Sequence, residues 1–162
     1  MDPPAEVCDG IFIGSLDSTH EDMLTHARIG AIINLSGRCY ENSRSVLNIV
    51  MDDVPVTTDT LRAYARKFAI GVAAIEVAVR AGQRVLVHCA AGINRSATLI
   101  AFYLIESGRS YDDAIQLLAA ANRKRKVELL TNPTFRSLLK THSVMREEFP
   151  RREEEFKALT KK

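Results

Sequence analysis

No Cys-x-x-Cys pair occurs in the sequence, and its three cysteines, Cys8, Cys39 and Cys89, are odd in number and irregularly spaced. This excludes the usual zinc patterns and a paired disulfide framework, and it points to free thiols in a reducing compartment. One-sided charge is missing as well. Lys plus Arg number 22 against 20 Asp plus Glu, a net charge of +2, which gives no general argument for binding nucleic acid or a membrane surface. No apolar run is long enough to cross a bilayer. Residues 1–7 lack the basic flank and apolar core of a signal peptide. There is no Met-Gly start for myristoylation, and the closing Leu-Thr-Lys-Lys is not a prenylation box. Repeats, low-complexity segments and a dividing linker are also lacking. What remains is a chain of 162 residues, 46% of them apolar, long enough for one domain with a real core. The expected organisation is a single domain over residues 1–150 and a charged tail over residues 151–162. The expected location is intracellular, in the cytoplasm, with the nucleus also open.

Along the chain, short apolar runs alternate with helical patterns. Residues 10–14, 31–36, 46–51 and 84–87 read as strands. A short helix is expected after Asp17 or Ser18, ending near Arg28 with Gly30 as its stop. Asp59 is placed to cap a long helix over residues 60–81, whose apolar set is Leu61, Tyr64, Ala65, Phe68, Val72, Ile75 and Val79. Residues 96–107 form an apolar helix without internal Gly or Pro. Ser110 caps the next, with Asp113 completing a capping box, and it runs to about Asn122 before the basic cluster Arg123–Lys126. Pro133 opens the last helix at its first position, and Pro150 interrupts it. Such alternation implies an α/β fold: a central twisted, mostly parallel sheet of about five strands with helices on both faces.

The informative stretch runs from Val85 through a loop of small residues into the helix that starts near Ser96. A strand leading through a tight loop to a helix N-terminus is suited to an anion. The first N–H groups of the helix have no internal partners, and its dipole is positive there. This loop holds a thiol, Cys89, and a guanidinium, Arg95. Loop amides, a helix N-terminus and an arginine favour the thiolate, a standing nucleophile. Arg95 can bind two oxygens of a phosphoryl group with its planar fork. A cation at that end of a helix is otherwise unfavourable unless an anion joins it. Gly92 lets the loop curl, and Ala90 and Ala91 leave it uncrowded. Cys8 and Cys39 read as ordinary thiols.

His88-Cys-x-x-Gly-x-x-Arg-Ser96 resembles the active-site signature of the protein-tyrosine phosphatase superfamily, and residues 85–99 are most similar to the small, atypical dual-specificity phosphatases. Residues 8–16, 30–36 and 132–135 resemble that family's opening strand, second strand and closing helix start, so the likeness covers about residues 7–146. The resemblance implies a phosphatase-like fold and hydrolysis of phosphomonoesters without a metal or other cofactor. Cys89 would attack phosphorus to form a phosphocysteine. Arg95 and the amides of Ala90, Ala91, Gly92, Ile93, Asn94 and Arg95 would hold the three non-bridging oxygens. His88 would fix the loop and favour the thiolate, and Ser96 would donate a hydrogen bond to the sulfur. A general acid must protonate the leaving oxygen. The family carries an Asp on the loop before the long helix, where Asp53-Val-Pro fits best, with Asp52 and then Asp59 as alternatives. Asn94 stands where these enzymes usually have Ser and is expected to have a polar tuning effect only.

The loop interior carries no Lys, unlike the phosphoinositide phosphatases of the superfamily, so a singly phosphorylated group is expected. The short stretch of residues 37–45 would form a shallow rim, open to phosphoserine and phosphothreonine as well as phosphotyrosine. The expected partners are therefore phosphorylated proteins, with no nucleic acid and no membrane anchor. The alternatives are a non-protein phosphate, such as an RNA 5′-end or a phosphoinositide, and a phosphoprotein-binding module with little turnover. The cluster Arg123–Lys126 reads as a solvated helix end whose cations suit the C-terminal dipole.

Overall fold

The computed structural model of the protein describes residues 1–148; the expected break at Pro150 and the tail after it lie outside these residues. Strands β1 (Ala5–Cys8) and β2 (Ile11–Gly14) form a hairpin. A single 3-10 turn (Leu16–Thr19) and helix α1 (Glu21–His26) lead to β3 (Ala31–Asn34) and β4 (Ser45–Asn48). Helix α2 (Leu61–Arg80) returns the chain to β5 (Val85–His88). Three helices follow: α3 (Arg95–Glu106), α4 (Tyr111–Arg125) and α5 (Pro133–Glu148). The sheet order is β1-β2-β5-β3-β4. The β1/β2 pair is antiparallel and the other pairs are parallel, as expected of the α/β architecture read from the sequence.

The strands of the parallel core are buried on both faces, and their side chains alternate with period two. Ile11, Ile13, Ile33, Val85 and Val87 enter the larger core beneath the C-terminal helices. Phe12, Ile32 and Leu86 point the other way, against Leu24 of α1 and Ile29. Helix α3 lies in the middle of the larger layer, with nine of its twelve residues buried. It approaches α2 so closely that a Cβ on Gly71 would collide with the Leu99 side chain. This is why the buried stripe of α2 is Tyr64, Phe68, Gly71, Ile75 and Ala78. The expected members Leu61, Ala65 and Val79 are exposed instead.

Several local expectations need correction. β1 was not foreseen, although its burial pattern alternates. The first helical segment divides into the 3-10 turn and α1, and Arg28 at φ 55° turns the chain before Gly30. Thr60, not Asp59, is the residue preceding α2, and the turn there is closed by Thr57 and Thr60: the Thr57 N–H donates to Thr60 Oγ1 at 2.9 Å. β4 ends at Asn48, three residues early, because the Asn48 side chain is engaged with Asn34 and Tyr40. α4 runs on to Arg125, so the basic cluster forms its last turn. Ser110 does cap α4, accepting from the Asp113 N–H at 3.1 Å. No described helix is long and apolar enough to cross a membrane.

Candidate active site

β5 is the central strand, and its carboxyl end delivers Cys89 to the crevice where open α/β sheets place their sites. Cys89 is buried, at 2% exposure. Its Sγ accepts from the Gly92 N–H at 3.2 Å and lies 3.3 Å from Ser96 Oγ. These are the donors that a sulfur anion needs.

The loop from Cys89 to Asn94 has its carbonyl groups tied from outside. Cys89 O is met by His88 Nδ1 at 3.1 Å, and Ala90 O by the Leu16 N–H at 3.2 Å. Ala91 O accepts from Arg125 at 3.0 Å, and Gly92 O from Arg125 at 2.8 Å and Asn122 at 3.1 Å. Ile93 O accepts from the Leu130 N–H at 3.0 Å, and Asn94 O from the Thr98 N–H and hydroxyl at 2.8 and 2.7 Å. A trans peptide holds its C=O and the following N–H on opposite sides of one plane. Carbonyls fixed outward therefore turn the N–H groups of residues 90–95 inward, and successive inward amides make an anion cradle. Gly92 is required here for two reasons. Its φ is +70°, and a Cβ would run into the Arg125 guanidinium and the Gly14 carbonyl.

Arg95 opens α3 and is 9% exposed. One terminal nitrogen donates to Met51 O at 2.9 Å, which fixes the guanidinium. Its buried Nε has no hydrogen-bond partner among the described residues. A buried cationic N–H without an acceptor is costly in a folded protein.

His88 is fully buried, and burial above all pushes its pKa down to about 4; the backbone contact at Cys89 opposes this and the Arg95 charge adds to it. The ring is neutral at pH 7. Because Cys89 O can only accept, Nδ1 carries the proton and Nε2 receives the Tyr40 hydroxyl at 2.8 Å. His88 thus contributes hydrogen bonds, not positive charge. Burial raises the Tyr40 pKa to about 12, so the phenol keeps its proton. The Asn34–Asn48 contact at 2.7 Å and the Asn48 Nδ2 bond to Tyr40 O at 3.1 Å pin the loop that carries Tyr40.

On the opposite rim, Asp53 accepts from Asn94 Nδ2 at 2.7 Å and from Asn132 Nδ2 at 3.0 Å, one at each carboxylate oxygen. Asn94 Oδ1 in turn accepts from the Asn132 N–H at 3.0 Å and the Thr131 hydroxyl at 3.3 Å. Asp52 accepts from Tyr64 OH at its backbone carbonyl, at 3.0 Å. Asp59 lies in the turn before α2. The loop residues Cys89–Arg95 and Ser96 are thus brought together with Asp53, and Asn94 is the link between them. Sequence reasoning missed Tyr40, Asn122 and Arg125, and it recognised Asn132 only as a helix start. The available signal was the i, i+3 spacing of Asn122 and Arg125, which puts both on one face of α4.

A central parallel strand that ends in this thiol-bearing cradle, with an arginine at the following helix start, defines a protein-tyrosine phosphatase-like α/β protein. More narrowly, the chain belongs to the family described as "Dual specificity phosphatase, catalytic domain", which matches residues 11–144. It is similar to mouse dual specificity protein phosphatase 2, with 31% identity over 107 residues, 65% of this chain and 33% of the relative. A vaccinia virus dual specificity protein phosphatase, OPG106, is 24% identical over 132 residues, 80% of this chain and 76% of the relative. This chain spans about a third of the length of the mouse relative. Among solved structures, human DUSP28 superposes with a TM-score of 0.74 at 27% identity, over 90% of this chain and 95% of that one. A mouse putative dual specificity phosphatase complexed with zinc tungstate does so with a TM-score of 0.74 at 26% identity, over 91% of both chains.

Proposed function

We propose that this chain is a dual-specificity phosphatase that hydrolyses phosphotyrosine and phosphoserine or phosphothreonine on proteins, with residues 1–150 as one catalytic unit. The Cys89 thiolate attacks phosphorus in line as the P–O bond to the substrate breaks. Asp53 gives its proton to the leaving oxygen. The inward amides of residues 90–95 and the Arg95 guanidinium carry the charge of the three non-bridging oxygens. Water then attacks the phosphocysteine, Asp53 takes its proton, and Ser96 donates to the departing sulfur. The observation that carries this reading is Arg95 Nε, a buried donor without an acceptor among the described residues, beside an amide cradle. A tetrahedral oxyanion supplies the missing acceptor.

Asp53 is preferred to Asp52 because only its carboxylate is tied to the thiol loop. Asn94 is occupied by Asp53, Thr131 and Asn132. That use gives the asparagine at position 94 a role within the protein itself. The test is hydrolysis of a simple aryl phosphate at slightly acid pH by the purified protein, followed by release of phosphate from phosphotyrosine and phosphothreonine peptides. Cys89→Ser is expected to abolish turnover while phosphate still binds. No turnover by the unaltered protein on any of these substrates would overturn the reading.

A further inference from the structure

We propose that Arg125 is a positioning residue of the anion cradle and that Asp2 clamps it there, which makes the N-terminal segment a working part of the site. This rests on the phosphate-binding role given to residues 89–95 above. Arg125 ends α4, yet its side chain is 1% exposed. Its Nε and one terminal nitrogen meet the two Asp2 oxygens at 3.0 and 2.7 Å, a two-point ion pair spanning 123 residues. The terminal nitrogens also donate to Ala91 O at 3.0 Å, Gly92 O at 2.8 Å and Asn122 Oδ1 at 2.8 Å. By the geometry of the trans peptide, the first two bonds set the directions of the Gly92 and Ile93 N–H groups. One of them, Gly92 N–H, is the donor to Cys89 Sγ.

Asp2 is itself held in place. Ser18 Oγ donates to Asp2 O at 2.7 Å and accepts from the Ser15 N–H at 2.9 Å, while the adjacent Leu16 N–H holds Ala90 O. The N-terminal segment and residues 15–18 therefore back three consecutive peptide planes of the cradle, those that begin at Ala90, Ala91 and Gly92. A cation bound to a carbonyl also polarises the N–H on the far side of the same peptide, strengthening it as a donor to an anion. Asp2 precedes residue 11, where the family match starts, so this clamp is not part of what the match conveys.

The test is titration of the full chain with inorganic phosphate, followed by the backbone amide resonances in a ¹H–¹⁵N spectrum. Arg125→Met is expected to move the Gly92 and Ile93 amides more than that of Asn94 and to weaken phosphate affinity by about tenfold, the scale of a lost charge-assisted contact. Asp2→Asn is expected to shift the same two amides and weaken affinity about threefold, and Asp2→Glu to restore it. If both Asp2→Asn and Arg125→Met bind phosphate as the unaltered protein does, the proposal fails. If Arg125→Met does not fold, Asp2→Asn decides alone, in the same direction. Failure of phosphate to perturb residues 90–95 in the unaltered protein overturns the phosphatase reading instead, while the amide shifts caused by Asp2→Asn still report on the clamp.

Discussion

Asn94 Nδ2 donates to Asp53 Oδ2 at 2.7 Å, joining the loop that carries the thiol to the loop that carries the carboxylate. The contact spans 41 residues of sequence, and it gives Asn94 a task beyond polar tuning. Asn94→Ala is expected to lower kcat on phosphoserine peptides by about 10- to 100-fold, a partial loss of the roughly 100- to 10,000-fold that a general acid supplies. Aryl phosphates with good leaving groups, which need little protonation, should lose far less. An equal loss on both kinds of substrate would show that Asn94 acts on the cradle and not through Asp53.

The two neighbouring carboxylates should separate in the same assay. Asp53→Asn removes the proposed proton donor, so turnover of poor leaving groups should drop by about 100-fold or more. Asp52→Asn should change turnover less than about threefold, since the contact Asp52 makes with Tyr64 is through its backbone carbonyl, which the substitution keeps. The reverse ranking would move the acid to Asp52.

The close crossing of α2 and α3 predicts a stability effect away from the chemistry. A Cβ on Gly71 would sit inside contact distance of both Leu99 methyl carbons. Gly71→Ala gains helix propensity but overpacks a site that cannot yield freely, for a net loss of about 1–3 kcal/mol. Leu99→Ala alone opens a cavity and costs about 2–5 kcal/mol. Chemical denaturation of the double variant should give a loss smaller than the sum of the two, because the added methyl fills part of that cavity.

The strand, loop and helix around Cys89 were legible because their chemistry is contiguous: apolar run, small residues, Arg95, then an apolar helix. The parallel core was legible for a similar reason, in that strands buried on both faces are short apolar runs. Arg125 was not. In sequence it is one of four basic residues, and only the helical phase of α4 sends it inward while Arg123 and Lys124 stay exposed. Asp2 lies on a segment that had no pattern of its own. Its role appears only when β1 docks beside β2 and α4. Tyr40 sits in a polar loop whose placement depends on two asparagines at strand ends, Asn34 and Asn48. Each of these contacts bridges elements far apart in the chain, so local periodicity carries no trace of it.

His88 makes stability depend on pH in a definite direction. Its folded pKa lies near 4, below the ordinary 6.5, because burial disfavours the imidazolium. Between those values the unfolded chain binds the proton and the folded protein does not, so stability falls as pH drops. Well above pH 6.5 the effect is absent; below about 4 both states are protonated and the loss is complete. Each unit of difference corresponds to about 1.4 kcal/mol, so going from pH 7 to pH 5 should cost about 2 kcal/mol from this group. Above pH 5, carboxylates of ordinary pKa add little. His88→Gln cannot titrate and should lose this slope, although its stability at pH 7 also falls because the hydrogen bonds to Tyr40 and Cys89 are altered. Urea denaturation of both proteins at pH 7 and pH 5 measures the difference directly. Equal slopes would mean that His88 titrates near its ordinary value in the folded protein, and that a charged ring then stands beside Cys89 in mild acid.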